Sequence, residues 1–202
     1  HQIHGARVRR IDEAFFMQTD AVKAVTLEGV DAVMTDVPKV CVSVSTADCI
    51  PILIYDRVHH AVAAVHAGWR STVLRIPEAV LQAMAGAYGT RPQDVEAAIG
   101  PGISLEAFEV GNEVYEAFRT VGFPMGEMAR RYPAAGDGSG RMEKWHLDLW
   151  QANRGVLEGC GVPSTRIHLA GVCTYLHSER FFSARRLGIR SGRILNGIFL
   201  TD

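Results

Sequence analysis

The 202-residue chain predicts a mixed α/β fold, α+β-like in character, on three observations. Two short apolar runs of strand length, Ile50–Tyr55 and Ala61–Val65, flank a polar turn at Asp56–His60. A helical stripe follows, with apolar side chains at Ile76, Val80, Leu81 and Met84. Further strand and helix candidates then alternate along the chain, the interleaving that builds mixed α/β layers.

Each element has its own signal. Val40–Ser45 alternates valine with Cys and Ser, the period of a half-buried strand. With the two apolar runs it makes a compact sheet unit. Gly68 and Ser71 mark the exit toward a helix, whose stripe starts near Val73. Pro77 suits the first turn of the regular helix, where a missing N–H costs nothing. Val95–Ile99 reads as a strand closed by Gly100-Pro101-Gly102. Asn112–Phe118 and Leu147–Leu157 read as helices, and Arg166–Val172 and Ile194–Leu200 as strands. Pro133–Arg141, rich in Gly, Ala and Asp, reads as a surface loop. The length suits a single domain over residues 1–202.

Composition excludes several classes. Lys plus Arg total 21 and Asp plus Glu 22, a net charge of −1, so no global field draws the chain to nucleic acid or anionic membranes. The basic clusters at Arg7–Arg10 and Arg185–Arg193 read as solvated surface. No apolar stretch approaches the length of a membrane span. The four cysteines, at 41, 49, 160 and 173, form no CxxC pair and read as free thiols of a cytoplasmic protein. Cys41 and Cys173 are expected in the core and Cys160 in a loop; His59 and His60 are expected in solvent. The chain opens on His1 rather than Met, so a native start upstream is expected.

Chemistry concentrates around Cys49 and His66. A turn centred between Arg57 and Val58 places them directly opposite on one sheet face, with Cβ atoms about 4.5–5.5 Å apart. A slip of one residue would separate their faces. A thiol and an imidazole meeting at a sheet end fit either a metal site or a Cys–His nucleophile pair. Asp48 adds a charge just before an apolar strand, where solvation does not explain it. Gly68 permits close backbone approach. Arg70 brings a fixed cation to the same end.

The chain resembles the YfiH family, also called the laccase-domain or polyphenol-oxidase family, whose members are viewed as purine nucleoside phosphorylases. The motifs are Gln2-Ile3-His4-Gly5, Thr46-Ala47-Asp48-Cys49-Ile50-Pro51 and His66-Ala67-Gly68-Trp69-Arg70. Gly100-Pro101-Gly102-Ile103, Phe108-Glu109-Val110-Gly111 and Phe181-Phe182-Ser183-Ala184-Arg185-Arg186 extend the match along nearly the whole chain. The resemblance implies a layered α/β/β/α domain and a zinc ion held by His4, Cys49 and His66. It implies phosphorolysis of adenosine, inosine, guanosine and methylthioadenosine, with adenosine deamination beside it. Purine nucleosides and phosphate are then the expected partners, with no nucleic acid or membrane, and the oligomeric state stays open.

On that reading Cys49, His66 and Asp48 carry the catalysis, Asp48 as the group that manages protons. Arg70 and Arg185 are the phosphate candidates, because a guanidinium fork matches phosphate oxygens. Gly100 is expected in a tight loop lining the pocket or in a plain turn. Trp69 and Phe181-Phe182 suit either stacking on a purine or the core. Three alternatives stand beside it. One is a metal-free thiol hydrolase using Cys49, His66 and Asp48. Another is copper-dependent polyphenol oxidation at an open site that takes copper instead of zinc. The third is a non-catalytic nucleoside-binding module with a structural zinc.

Overall fold

The strand Ala61–Ala67 is buried along its whole length, and its small side chains let layers approach from both sides. The computed structural model around it describes residues 1–133 and 143–201. Among these residues the strands are β1 (Val8–Arg10), β2 (Ala32–Thr35), β3 (Val42–Thr46), β4 (Ile50–Asp56), β5 (Ala61–Ala67) and β6 (Val95–Ile99). They continue with β7 (Glu109–Val110), β8 (Ala129–Pro133), β9 (Glu143–Leu147), β10 (Ile167–Leu169) and β11 (Ile194–Ile198). The helices are α1 (Glu13–Phe16), α2 (Asp20–Leu27), α3 (Trp69–Val73), α4 (Ile76–Tyr88), α5 (Asn112–Thr120), α6 (Met125–Met128), α7 (Leu149–Gly159) and α8 (Ala184–Leu187).

The class is mixed α/β, as the interleaved pattern predicts. The main sheet runs β1-β2-β5-β4-β6-β10, parallel at its two outer pairs and antiparallel inside. Ala61, Ala63, Val65 and Ala67 face one way, into a core shared with Ile50, Ile52 and Ile54 and with Val80 and Met84 of α4 and Val156 and Leu157 of α7. Val62 and Ala64 face the other way, against Val42 and Val44 of β3 and Phe15 of α1. The alternation therefore turns His66 toward the second layer, the β3–β11 pair, rather than toward the helices.

Local chemistry sets the boundaries. Ile76, Val80, Leu81 and Met84 are all buried, and α4 starts at Ile76 with Pro77 in its first turn. Gly89, at φ 78°, ends it. The helix expected at Leu147 begins at Leu149, because the Asp148 side chain accepts the Gln151 N–H and caps it there; Leu147 instead closes β9. β10 is shorter than expected. The Ala170 N–H still reaches Ile99, and Gly171 at φ 63° then turns the chain away. Pro133 is the last residue of β8, and the rest of the loop expected at Pro133–Arg141 lies outside the described residues. Cys41 is exposed rather than in the core, just before β3, while Cys173 is buried.

The β4–β5 register corrects the expected one. His66 pairs with Pro51, two residues from the expected partner Cys49, which falls just before the ladder. Asp56 is the cause. Its fully buried carboxylate accepts the Val58 and His59 N–H groups at 2.9 and 3.0 Å and meets His59 Nδ1 at 2.9 Å. That pins a four-residue loop, Arg57–His60, and makes Asp56–Ala61 the closing pair. Two residues are one full side-chain period, so Cys49 and His66 remain diagonal neighbours on one face. His59 is exposed, as expected, and is also a partner of the turn.

Burial opposes the Asp56 charge, but the Thr90 side chain, the two amides and the His59 ring outweigh it and hold the carboxyl below its ordinary 3.8. The folded state therefore gains stability from ionised Asp56 above about pH 4 and loses it as pH falls below that. Asp56→Asn should cost about 1–3 kcal/mol at pH 7, the range for bonds to a buried charged group. The gap between variant and wild type should narrow in strong acid. Urea unfolding at both pH values measures this, and an equal gap at each would contradict it.

Candidate metal centre

His66 is nearly the last residue of the buried strand β5, and only 3% of it is exposed. Its Nδ1 lies 2.8 Å from Oδ1 of Asp31, which is fully buried just before β2. Facing a carboxylate, Nδ1 must carry the proton, which leaves the Nε2 lone pair for a ligand. The main chain repeats the link, for the His66 N–H donates to the Asp31 carbonyl at 2.8 Å.

The same carboxylate gathers the start of the chain. It accepts the His4 N–H at 2.9 Å, the Gly5 N–H at 2.7 Å and the Ile3 N–H at 3.3 Å. Burial works against the Asp31 charge, but the His66 ring and the Gly5 and His4 amides prevail and hold its carboxyl below the usual range. Gln2 clamps the segment to β3: its side-chain amide donates to the Ser45 carbonyl at 2.9 Å and accepts the Ser45 N–H at 2.8 Å. His4 itself sits at φ 62°, a left-handed conformation held by these bonds. Its ring meets that of His66 edge to face at 4.8 Å.

Cys49 completes the group. Asp48 before it is also left-handed, at φ 81°. The donor atoms of His4, Cys49 and His66 all lie within 4.8 Å of one another, the single such cluster of His, Cys, Asp and Glu among the described residues. Gly68 makes room for it. A Cβ there would stand 2.6 Å from Cδ2 of His4 and 3.1 Å from Sγ of Cys49. Burial pushes the Cys49 thiol up to about 12, with the Asp48 and Asp31 charges adding to the effect. Burial also lowers the His4 pKa, helped by His66 and Arg70, which favours the neutral imidazole a metal needs. Two imidazoles and a thiolate suit zinc, and three protein ligands leave a fourth position for water or substrate. The residues fit such an ion.

The centre opens on a cleft of about 1170 Å³. Its walls include Ile3, Ile103, Phe108 and Ile189 together with Arg185 and Arg193. Arg185 lies over the Phe108 ring at 5.5 Å and donates to the Glu109 carbonyl at 2.9 Å. Arg193 is held by the carbonyls of Ser191 and Gly192, at 2.6 and 3.0 Å.

The structure thus brings His4, Cys49, His66, Asp48 and Arg185 together, and leaves two expected residues outside the cleft wall. Arg70 is exposed and stacks on Trp69 at 4.3 Å. Gly100 packs on Pro51, to whose carbonyl it donates at 2.8 Å, because residue 100 still follows the β6–β4 pairing. Gly102 is the glycine that approaches the site: a Cβ there would meet Ile50 and the Asp48 carbonyl at 2.4 and 3.0 Å. Phe108 is the aromatic side chain of the wall, rather than Trp69 or Phe181-Phe182.

Sequence reasoning missed Asp31 and Arg193. A lone carboxylate against the apolar Ala32-Val33-Met34 was the available signal for Asp31. Arg193 was visible only as part of a basic cluster.

Two substitutions test the centre. Gly68→Ala should keep the fold, since φ is −73° there, yet lower metal stoichiometry by displacing His4 and Cys49. Asp31→Asn should weaken metal affinity by about 10–100-fold, the usual effect of losing a ligand's hydrogen-bond partner. Competition against a chromophoric chelator reads both, and wild-type affinity in both variants would reject the assignment.

Comparison with known proteins agrees with the motifs. The family model described as multi-copper polyphenol oxidoreductase laccase matches residues 1–201. A protein of Bacteroides thetaiotaomicron named purine nucleoside phosphorylase is 48% identical over 199 residues, covering 98% of this chain and 71% of its own. A protein named adenosine deaminase RL5, from an unknown prokaryotic organism, is 43% identical over 198 residues, covering 98% and 72%. The crystal structure of the Bacillus licheniformis protein YfiH superposes with a TM-score of 0.85 at 27% identity, covering 99% of this chain and 72% of that one. With the fold, the motifs and the match over residues 1–201 in agreement, the chain belongs to the laccase-domain, YfiH-like family.

Proposed function

We propose that the chain is a zinc-dependent purine nucleoside phosphorylase that also deaminates adenosine. One observation carries the reading: a His–Cys–His donor set lies in the wall of a cleft that Arg185 and Arg193 also line. The names of the relatives give the substrate class. Adenosine, inosine, guanosine and methylthioadenosine are the substrates we assign, with phosphate as the second reactant.

His4, Cys49 and His66 would hold the ion, which when bound supplies Lewis-acid character and an acidified water. Asp31, bonded to Nδ1, fixes the orientation of the His66 ring and leaves its Nε2 side to the centre. Phe108, Ile103, Ile3 and Ile189 offer apolar surface to the base and exclude water from it. Arg185 and Arg193 take the phosphate oxygens through charge-assisted bonds. In phosphorolysis a phosphate oxygen bonds to the ribose C1′ as the bond to the purine nitrogen breaks. The products are the base and ribose 1-phosphate. In deamination water replaces the 6-amino group, which leaves as ammonia. Arg70, outside the wall, acts only through its longer-range field.

A metal-free thiol hydrolase is the second reading, because the Asp31–His66 pair orients the imidazole as a Cys–His–Asp triad requires. Burial of the Cys49 thiol and the second imidazole of His4 weigh against it. Multicopper oxidation needs several clustered sites, and the described residues hold one. A structural zinc normally has four protein ligands, which weighs against a purely binding role. We place the protein in the cytoplasm: its four thiols are free, and no described helix is long and apolar enough to cross a membrane.

The test joins metal analysis with product analysis. Purified protein incubated with adenosine and phosphate should yield adenine, ribose 1-phosphate and inosine, and Cys49→Ala should fall to background. No product from wild-type protein would refute the reading. Full turnover in a strong chelator would transfer it to the thiol hydrolase. Arg185→Ala should raise the phosphate KM about tenfold, near the loss of one charge-assisted bond, and Arg70→Ala less than about threefold.

A further inference from the structure

We infer that Asp48 is a positioning residue, a strut that fixes the phosphate-binding arginine of the cleft relative to the metal ligand Cys49. The sequence suggests a proton carrier at this position, but the hydrogen bonds describe something else. Oδ1 accepts the Thr174 hydroxyl at 2.7 Å, and Oδ2 accepts the Arg185 N–H at 2.7 Å. Only 8% of the residue is exposed, and Thr174 is fully buried. Both oxygens of the carboxylate are therefore taken by short bonds to the protein itself. The main chain adds a third tie, for the Asp48 carbonyl accepts the Ile103 N–H at 2.9 Å.

These bonds join segments far apart in sequence, 126 residues for Thr174 and 137 for Arg185. Arg185 lies in the first turn of the short helix α8 beside Arg186, whose N–H is taken by the Ser183 hydroxyl at 3.1 Å. Asp48 holds one amide of that turn and Ser183 the next. With the main chain set in this way, the Arg185 side chain runs back over Phe108 to the Glu109 carbonyl. The left-handed backbone of Asp48 directs its carboxylate to this task while the next residue, Cys49, turns its thiol to the metal centre. One residue thus sets the spacing between the metal ligand and the anion-binding group. This inference rests on the proposed contact between Arg185 and phosphate.

Two variants separate a strut from a proton carrier. Asn fits the left-handed conformation and matches Asp in shape. Its amide oxygen can accept the Arg185 N–H while its NH2 donates to the Thr174 oxygen, so Asp48→Asn keeps the tie and removes the titratable group. Asp48→Gly removes the tie without backbone strain. The measurements are phosphate KM, kcat at saturating phosphate, metal content, and deuterium exchange of the Arg185 amide in the full chain. For the strut, Asp48→Gly should raise phosphate KM about tenfold or more with kcat within about threefold, the pattern of lost binding rather than lost chemistry. The Arg185 amide should exchange fast in that variant. Asp48→Asn should restore both KM and protection to near wild type, with metal content unchanged in each.

If Asp48→Asn loses kcat with phosphate KM unchanged, the residue is a proton carrier and the inference is overturned. Unchanged Arg185 exchange in Asp48→Gly overturns it as well. If the glycine variant does not fold, Asp48→Asn decides alone between those outcomes. A wild-type phosphate KM in Arg185→Ala would instead sink the phosphate reading of Arg185, and the exchange measurement would still decide whether the tie exists.

Discussion

The Asp31 carboxylate is the constraint on which the rest of the site depends. It is buried, it is charged, and it faces one imidazole and three backbone N–H groups. A buried charge is tolerated only when its bonding capacity is filled, and here the filling groups belong to the candidate metal centre. His66 satisfies Asp31 and is oriented by doing so. The backbone of residues 3–5 satisfies it and thereby delivers His4. Removing the carboxylate would leave a ring without its tautomer and a segment without its anchor.

The cleft continues the same economy of polar groups. Asp56 sets the β4–β5 loop and so the register in which His66 pairs with Pro51 and lies diagonal to Cys49. Asp48 joins the turn before Cys49 to Thr174 and Arg185. Each of the three aspartates is buried and each is saturated by hydrogen bonds. The apolar layers give the fold its bulk stability, but these carboxylates decide where the layers meet. Gly68 and Gly102 complete the placement by leaving space where a methyl group would collide with the site.

Much of this was legible in the sequence where periodicity operates. The α4 stripe, the strand Val95–Ile99 and the buried runs around the turn follow directly from side-chain spacing. The meeting of Cys49 and His66 was legible too, although its register was not, because Asp56 moves the turn by bonding to its own neighbours. His4 was accessible only through resemblance, since no local spacing ties residue 4 to residue 49. Asp31 was missed because its partners are backbone amides and a ring brought together by tertiary structure. Arg70 and Arg185 look alike in sequence. One stacks on its neighbour Trp69, and the other is drawn over Phe108 by the bond at its amide.

The wide separation of the three candidate ligands has a thermodynamic consequence. His4, Cys49 and His66 come from a docked segment, a turn and the end of a central strand, and no two form a local chelating pair. An unfolded chain therefore offers an ion no preformed grip, and the full donor set exists only once the sheet has closed around Asp31. Any ion that binds this set binds the native state almost exclusively, so its binding free energy adds to folding stability by linkage. A metal bound by this set would therefore report correct assembly, signalling that residues 2–5 have reached their seat on the sheet.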